Sequence, residues 1–312
     1  MEIVTLTLNP AVDVTYEIGH LIPDRKVHAS ATRFDAGGNG INVGRALKRL
    51  GVHASNFCVL AGETGQFLQR LLRKHVDDPV YEWVEKETRI NCTVLERDSG
   101  NQFEVSGIGP DLPKPRQDRL LDKFVATVGR GFGVVTGSVP PGVGHDVYAR
   151  LIERIQGRGG RVVLDAHGDL LRQGIEAAPF LVKPNLFELG QLAGRPLGGM
   201  PEVASVARGL LHKGVECVCV SLGGEGALLV TSSVTLHALP PPVEVRSTVG
   251  AGDSMVGGLV AGFARDESLQ ETLKLAVACS AGTVKQPGTE LFDPTDLPEL
   301  IRQVEISVVQ SP

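Results

Sequence analysis

The chain has 312 residues, of which 42% are hydrophobic and 21% are charged, a composition typical of a folded globular protein and not of a disordered one. A chain of this length buries roughly 75% of its unfolded surface, so folding requires neither disulfides nor a structural metal. The 31 Lys and Arg residues against 36 Asp and Glu residues give a net charge of −5. This balance argues against a surface that neutralises a nucleic-acid backbone.

The sequence shows no sign of membrane insertion or secretion. Residues 1–8 contain an acid and no basic group, unlike a signal peptide, and no apolar run approaches the ~20 residues of a membrane helix. The five cysteines form no C-x-x-C pair, which favours a reducing compartment. We therefore expect a cytoplasmic protein that has neither a membrane nor a nucleic acid as partner.

Short apolar strands alternate with helical patterns along most of the chain. This βα succession predicts an α/β fold with a mostly parallel sheet covered by helices on both faces. The predicted strands are residues 2–8, 54–60, 133–136, 161–165, 180–182 and 216–221. The predicted helices are residues 65–74, 146–156, 185–193 and 203–213.

Two segments depart from this succession, because their strands pair without a crossover helix. Residues 12–18 pair with 26–34, and residues 90–97 pair with 102–106, with a polar alternation that suits a sheet with one face in solvent. We expect a single domain over residues 1–312 with a small antiparallel flap, from about 12–34 and 88–107, that acts as a lid. Simple edge hairpins are the alternative.

The strongest motif is Ser247-Thr248-Val249-Gly250-Ala251-Gly252-Asp253-Ser254-Met255. Apolar residues recur at helical spacing after it, so a glycine turn leads into a helix whose first N–H groups are unsatisfied. Those amides and the helix dipole form an anion cradle. Asp253 at this end could accept a proton from a hydroxyl that attacks phosphorus, or it could simply cap the helix.

A second glycine-rich motif, Gly37-Gly38-Asn39-Gly40-Ile41-Asn42-Val43-Gly44, also opens a predicted helix. It resembles a dinucleotide-binding fingerprint, but that motif requires a buried strand before it and an acid after the next strand. The preceding segment alternates in polarity, and residues 54–60 end without an acid. A dehydrogenase is therefore disfavoured.

Three further segments place polar groups at strand ends. Lys183-Pro184-Asn185-x-x-Glu188 predicts either a helix capping box or a site where Lys183 meets phosphates and Glu188 orders magnesium-bound water. Residues 221–226 form a glycine loop that is either a nucleotide cradle or a hairpin turn. Asp13 follows the first strand as a turn former or a polyol ligand.

In combination these motifs resemble the PfkB family of ribokinase-type carbohydrate kinases. The matching segments fall in the family's order over residues 5 to about 290: 7–13, 37–43, 136–142, 182–188 and 248–253. The phosphosugar branch is indicated, with the non-classical bacterial 6-phosphofructokinases as the nearest group.

The resemblance implies a ribokinase-like three-layer α/β/α fold with a small β-lid, through which such proteins often form homodimers. It implies ATP-dependent phosphorylation of a phosphosugar, with fructose 6-phosphate converted to fructose 1,6-bisphosphate as the main expectation. The alternatives are a 1-phosphofructokinase or a tagatose-6-phosphate kinase. A non-catalytic sugar-phosphate sensor on the same fold is the alternative from another class.

The resemblance also assigns roles to residues of this chain. It implies Asp253 as the general base, beside an anion hole of Gly250, Ala251 and Gly252. The implied sugar-site residues are Asp13, Gly38, Asn39, Asn42 and Ser138, with Lys26 and Arg89 on the acceptor's phosphate. The implied ATP site comprises Lys183, Asn185, Ser221, Gly223 and Gly226. Glu188 is implied for Mg²⁺, and a K⁺ ion near Ser247 and Val249 is left open.

Three positions depart from the family pattern. Asn39 stands where many 1-phosphofructokinases and tagatose-6-phosphate kinases have lysine, which favours the 6-phosphofructokinase branch. His28 stands where that branch tends to have arginine, and a neutral imidazole there would weaken phosphate binding. Phe187 occupies a place often held by lysine, which puts a regulatory nucleotide contact in doubt.

Overall fold

A ten-stranded sheet forms the centre of the protein in the computed structural model, which describes residues 1–309. Its strand order is β14-β13-β12-β11-β10-β9-β8-β1-β4-β5; all neighbours from β11 to β5 are parallel, and those from β11 to β14 are antiparallel. The strands are β1 Ile3–Thr7, β4 Ser55–Ala61, β5 Pro79–Val84, β8 Phe132–Thr136, β9 Arg161–Asp165, β10 Leu181–Val182, β11 Cys217–Ser221, β12 Ala227–Thr231, β13 Thr235–Leu239 and β14 Glu305–Val308.

Helices cover both faces of this sheet, and the buried apolar residues form three clusters. One cluster joins the sheet to α3–α7, a second joins it to α1, α8, α9 and α10, and a third, smaller one joins α2 to β4 and to Val12 and Ala36. The predicted three-layer fold with a mostly parallel sheet is therefore confirmed. The helices are α1 Asn39–Arg49, α2 Gly62–Leu72, α3 Lys114–Val128, α4 Val147–Gln156, α5 Gly168–Glu176, α6 Leu186–Ala193, α7 Gly199–Leu211, α8 Ala251–Ala264, α9 Leu269–Val284 and α10 Leu297–Gln303. None of them is long and apolar enough to cross a bilayer within residues 1–309.

A second, four-stranded sheet has the order β3-β2-β6-β7. Its strands are β2 Ala11–Ile18, β3 Ala31–Gly37, β6 Arg89–Glu96 and β7 Gln102–Val105. The flap was predicted as antiparallel, but its two hairpins join through a parallel pair of β2 and β6. The predicted strand over 26–34 is wrong at its start, because β3 begins at Ala31 and Lys26 lies in the exposed loop before it.

Glycines set the close approach of α8 to its neighbours. A Cβ atom on Gly257 would lie 2.7 Å from the Cβ of Ala46 on α1. On the other side, a Cβ on Gly258 would lie 2.6 Å from the Cα of Ala276 on α9. Backbone this close leaves no room for a side chain, so these glycines position the N-terminus of α8 against that of α1.

We predict that Gly258→Ala lowers the free energy of unfolding by about 1–3 kcal/mol, because α8 and α9 must separate to admit the methyl group. The matched control is Gly209→Ala on α7, where an added Cβ meets nothing within 4 Å. There we expect a stabilisation of about 0.5–1 kcal/mol, since alanine loses less entropy in a helix than glycine. Urea denaturation measures both. Equal stability of the two variants would contradict the packing assignment.

Candidate active site

The N-termini of α1 and α8 meet beside the carboxyl ends of the parallel strands, and Asp253 lies where they meet. Asn39 Nδ2 donates to Asp253 Oδ1 at 3.0 Å, and Asn42 Nδ2 donates to Asp253 Oδ2 at 2.8 Å. Asp253 is only 5% exposed, but Asn39 is exposed. The carboxylate is therefore close beneath the surface of a cleft.

The turn before α8 directs free amides toward the same place. Gly250 has φ 78°, a left-handed conformation that favours glycine, and it precedes the first helical residue. The Ala251 amide bonds the Thr248 carbonyl at 3.3 Å, and the Ser254 amide bonds that of Gly250. The Gly252 amide finds no acceptor within residues 1–309. This predicted anion cradle thus has an unpaired donor beside Asp253.

Burial raises the pKa of Asp253 to about 6, and the negative charge of Asp165 acts in the same direction. The hydrogen bonds from Asn42 and Asn39 and the positive charge of Lys183 oppose this shift. A carboxylate with such a pKa is ionised at neutral pH and is a better proton acceptor than an ordinary aspartate.

Lys183 and Asp165 form a buried ion pair next to this carboxylate. Lys183 Nζ lies 3.1 Å from Asp165 Oδ1, with side-chain exposures of 5% and 12%. Burial, the largest single influence, lowers the pKa of Lys183, but the charge of Asp165, the hydrogen bond to it and the charge of Glu188 together outweigh burial, and the pKa is raised. A Cβ on Gly252 would lie 3.4 Å from Lys183 Nζ, so the ammonium group faces the anion cradle.

Asp165 is a site residue that the sequence analysis missed. It was recognised only as the end of a predicted strand, and its partner Lys183 follows the next strand along the chain. Because β9 and β10 are parallel neighbours, their carboxyl ends meet at one edge of the sheet. The sequence did contain a signal for this pair: one predicted strand ends in an acid, Asp165, and lysine follows the next strand.

A cleft of about 730 Å³ opens beside Lys183 and the start of α8. Its floor and walls come from the predicted nucleotide residues, from the proline loop after β13 and from α9. The lining residues are Lys183, Asn185, Ser221, Gly223, Gly224, Gly226, Pro240, Pro241, Pro242, Val243, Val245, Thr248, Ala251, Gly252, Met255, Val277, Ser280, Ala281 and Val284. This volume is in the range of small-molecule and cofactor sites.

The glycine loop of residues 221–226 forms both a hairpin turn and a wall of this cleft. It connects β11 to the antiparallel β12, and the Leu222 amide donates to the Gly226 carbonyl at 2.8 Å. A Cβ on Gly226 would lie 1.9 Å from the Ala238 carbonyl oxygen, so only glycine fits there. Asn185 and Ser221 are bridged in parallel, which brings the two segments together.

Asn185 and Glu188 form the capping box at the start of α6. Asn185 Oδ1 accepts from the Glu188 amide at 2.8 Å, and Glu188 Oε2 accepts from the Asn185 amide at 2.9 Å. Burial raises the pKa of Glu188 above its ordinary value. Glu188 Oε1 has no hydrogen bond within residues 1–309, so the cap and a contact with metal-bound water are compatible.

No group of three or more His, Cys, Asp and Glu residues forms a metal cage in the described chain. Asp165 and Glu188 are nonetheless close enough for the charge of one to raise the pKa of the other. This donor set suits Mg²⁺, which prefers one or two carboxylates together with waters and substrate phosphates. The residues present therefore fit a magnesium ion that arrives with a nucleotide.

The second sheet has a polar face near the N-terminus of α1, the end of that helix that contacts Asp253. Asn91 Nδ2 donates to Asp13 Oδ1 at 2.8 Å, and a Cβ on Gly37 would lie 2.4 Å from the Asp13 carboxylate. Burial raises the pKa of Asp13 to about 6, although the Asn91 hydrogen bond and the charge of Arg89 oppose this shift. Asp13 is thus held against the glycine turn that begins α1.

Arg89 and Ser138 both contact Asn9, which follows β1. The Arg89 guanidinium donates from Nε and Nη2 to the Asn9 carbonyl at 3.1 and 2.8 Å, and Asn9 Nδ2 donates to Ser138 Oγ at 3.1 Å. The sequence did not predict that Asn9 would bond both Arg89 and Ser138. Gly38, with φ 130°, is the N-cap residue of α1 beside these groups. The structure brings Asp13, Gly38, Arg89 and Ser138 to one region.

Lys26 and His28 are the exceptions. Both are exposed in the loop between β2 and β3, and neither takes part in a hydrogen bond or ion pair within residues 1–309. The expectation that Lys26 sits on a strand of the flap is wrong. Phe187, on α6, is 72% exposed.

Comparison with known proteins gives consistent results. The model of the pfkB family of carbohydrate kinases matches residues 2–296. The 1-phosphofructokinase of Bacillus subtilis (strain 168) is 33% identical over 300 residues, covering 96% of this chain and 98% of its own. The ATP-dependent 6-phosphofructokinase isozyme 2 of Escherichia coli (strain K12) is 35% identical over 299 residues, covering 95% and 96%.

Solved structures agree in fold over nearly the whole chain. Phosphofructokinase-2 from Escherichia coli in complex with substrates and products has a TM-score of 0.92, with 33% identity over 97% of this chain and 99% of its own. The same enzyme in complex with potassium has a TM-score of 0.90, with 34% identity over 96% and 98%. With the family model spanning both the glycine turn before α8 and the strands of the second sheet, the chain belongs to the pfkB family of carbohydrate kinases and is an ATP-dependent phosphotransferase.

Proposed function

We propose that the protein transfers the terminal phosphoryl group of ATP to a fructose monophosphate and so forms fructose 1,6-bisphosphate. The single observation that carries this proposal is Asp253, held by two asparagines beside the unpaired amide of Gly252 and the ammonium of Lys183. Phosphoryl transfer needs placement and charge neutralisation more than covalent chemistry, and this arrangement supplies both.

In this mechanism Asp253 accepts the proton of the acceptor hydroxyl as that oxygen bonds to phosphorus. The amides of the Gly250–Ala251–Gly252 turn and the positive end of α8 stabilise the charge that develops on the phosphoryl oxygens. Lys183 holds the phosphates against this turn, and Asp165 keeps it charged. Asp13, Gly38, Asn39, Asn42 and Ser138 orient the sugar, while Arg89 binds its phosphate. The second sheet covers the acceptor and excludes water, which would otherwise compete as nucleophile.

ATP occupies the 730 Å³ cleft in this proposal, with Asn185, Ser221, Gly223 and Gly226 around it. Glu188 and Asp165 are the residues that would hold a magnesium ion bound with ATP, and that ion would supply positive charge to the phosphates. A potassium ion near Ser247 and Val249 is also proposed; there Ser247 Oγ donates to the Gly288 carbonyl at 2.7 Å and accepts from the Val249 amide at 3.2 Å.

The proposal also concerns which phosphosugar accepts the phosphoryl group. Several 1-phosphofructokinases are among the curated relatives, so fructose 1-phosphate, an alternative in the sequence analysis, has the stronger support from similarity. Asn39 favours fructose 6-phosphate, the main expectation, because it bonds Asp253 directly where many 1-phosphofructokinases have lysine. Both substrates give the same product, so the two readings differ only in which hydroxyl faces Asp253. Tagatose 6-phosphate is a third acceptor. A non-catalytic sensor is disfavoured because Asp253 is present and the glycine motif that surrounds it is intact.

Purified protein is assayed with ATP, magnesium and each of the three phosphosugars, in potassium and in sodium buffers. We predict that one fructose monophosphate is preferred and that Asp253→Asn lowers its turnover by at least ~10²-fold, the usual scale for loss of a general base. Wild-type turnover should fall below pH ~6, because the pKa of Asp253 is about 6 and only the ionised form accepts a proton. Near-normal turnover of Asp253→Asn, with an unchanged melting temperature, contradicts the proposal.

We predict that Arg89→Ala raises the KM for the phosphosugar about tenfold or more and leaves the KM for ATP nearly unchanged. The guanidinium lies at the base of the second sheet beside Asp13 and outside the nucleotide cleft. Loss of a charge-assisted contact to phosphate has this magnitude. Steady-state kinetics with each substrate varied in turn make the measurement. A weakened ATP site with an unchanged sugar KM would refute the assignment.

The homodimer expected from the lid is also a proposal, and the second sheet supports it. Its face opposite Asp13 is apolar and partly exposed: Phe34 is 47%, Ile90 50%, Phe103 43% and Val105 67% exposed. Strand register puts Phe34 and Val105 in one row with Cys92 and places all four residues on the same face. An apolar patch of this kind suits a second copy of the chain.

We predict that Val105→Asp shifts the protein from dimer to monomer, because it buries a charge in this interface. Gln102→Asp is the matched control, since it adds the same charge on the same strand but on the polar face. Light scattering coupled to size-exclusion chromatography gives the mass of each. A Val105→Asp variant that stays dimeric, or a wild-type protein that is monomeric, excludes this interface.

A further inference from the structure

Arg45, on α1, is a buried cation that the proposed mechanism does not use. It is 4% exposed, and its Nη1 donates to Asn42 Oδ1 at 3.0 Å and to the Thr289 carbonyl at 3.2 Å. Its Nε is buried without a partner within residues 1–309, and Nη2 lies 3.9 Å from Glu290 Oε2. A guanidinium buried at this cost points to a role beyond packing.

Asn42 links Arg45 to Asp253. Its side-chain amide has an accepting oxygen and a donating nitrogen, and the two face opposite neighbours: the oxygen accepts from Arg45, and Nδ2 donates to Asp253 Oδ2 at 2.8 Å. The reverse orientation would place NH₂ against the guanidinium and a carbonyl against the carboxylate. Because arginine can only donate, Arg45 selects the orientation in which Asn42 donates to Asp253.

We infer that Arg45 is a positioning residue for the phosphoryl-transfer step: through Asn42 it fixes a hydrogen-bond donor on Oδ2 of Asp253. This inference rests on the proposed function of Asp253 as base. Arg45 touches neither the nucleotide cleft nor the phosphosugar groups of the lid. Its second bond, to Thr289, ties this relay to the turn that follows α9.

The charges around the relay determine the direction of the expected effect. Those that face Asp253 are Asp165 and Lys183 from the strand ends, and Arg45 itself. Those that face Arg45 are Glu290, Arg49, Asp35 and Asp253, and its charge also acts on Asp13 and His75. Without Arg45, Asn42 is free to turn its oxygen toward Asp253, and the carboxylate loses a donor. Loss of a hydrogen bond to the ionised form raises a carboxylate pKa, so the acid limb of turnover should move to higher pH.

The test compares Arg45→Met with Arg49→Met. Arg49 is a matched control because it anchors the same turn, donating to the Leu291 and Phe292 carbonyls and pairing with Glu290, but does not contact Asn42. We expect Arg45→Met to lower kcat about tenfold, to leave the KM for ATP within about twofold and to raise the pH of the acid limb. Arg49→Met should keep the wild-type acid limb.

A double-mutant cycle with Asn42→Ala gives the decisive number. If Arg45 acts through Asn42, Arg45→Met should cost about tenfold in the wild-type background and less than about twofold in the Asn42→Ala background. Arg45→Lys, which keeps a donor and the charge, should recover most of kcat and covers the case in which Arg45→Met folds poorly. An equal loss in both backgrounds, or an equal shift of the acid limb in Arg49→Met, overturns the inference.

Failure of this inference is distinct from failure of the proposed function. If Asp253→Asn is inactive while Arg45→Met behaves like Arg49→Met, the assignment of Asp253 as base is supported and the positioning role of Arg45 is refuted. If Asp253→Asn keeps its turnover, the proposed function falls, and the positioning role falls with it.

Discussion

The two hydrogen bonds that Asn39 and Asn42 donate to Asp253 are the interaction on which the rest of the site depends. They join the N-termini of α1 and α8 through residues that are 214 and 211 positions apart in sequence, and glycine at 257 lets those helices approach closely. A buried carboxylate without donors would be protonated at neutral pH. With two neutral donors it is ionised at neutral pH, and it forms no ion pair with any group in residues 1–309 that would weaken it as the proposed base.

The neighbouring cation forms its ion pair with another acid and not with the Asp253 carboxylate. Lys183 is the cation closest to the anion cradle, but its ion pair is with Asp165. That pairing leaves Asp253 with a raised pKa and keeps the ammonium charged toward the Gly252 backbone. In the proposed mechanism, one edge of the sheet thus provides a cation for phosphate and, beside it, a separate base for the hydroxyl. Their separation follows from the parallel register of β9 and β10.

Much of the α/β body could be predicted from the sequence, because buried parallel strands are short apolar runs and α8 follows a distinctive glycine turn. Asp253, Asn42 and the Asn185–Glu188 cap were found because each lies in a local motif. Asp165 and Arg45 were missed, since their importance comes from partners distant in sequence. Lys26 was misplaced because polar alternation does not mark where a loop ends and β3 begins. The parallel joining of the two flap hairpins also required knowledge of pairing between distant segments.

That parallel joining has a mechanical consequence. Asp13 lies on one hairpin and Arg89 begins the other, and the adjacent central strands β2 and β6 are bonded along eight residues from Ala11↔Arg89 to Ile18↔Glu96. Any swing of the sheet must carry both side chains as one rigid plate, while Asn39 and Asn42 stay with α1. In the proposed mechanism, closure of the sheet would therefore bring Asp13 to the sugar ring and Arg89 to its phosphate in a single movement.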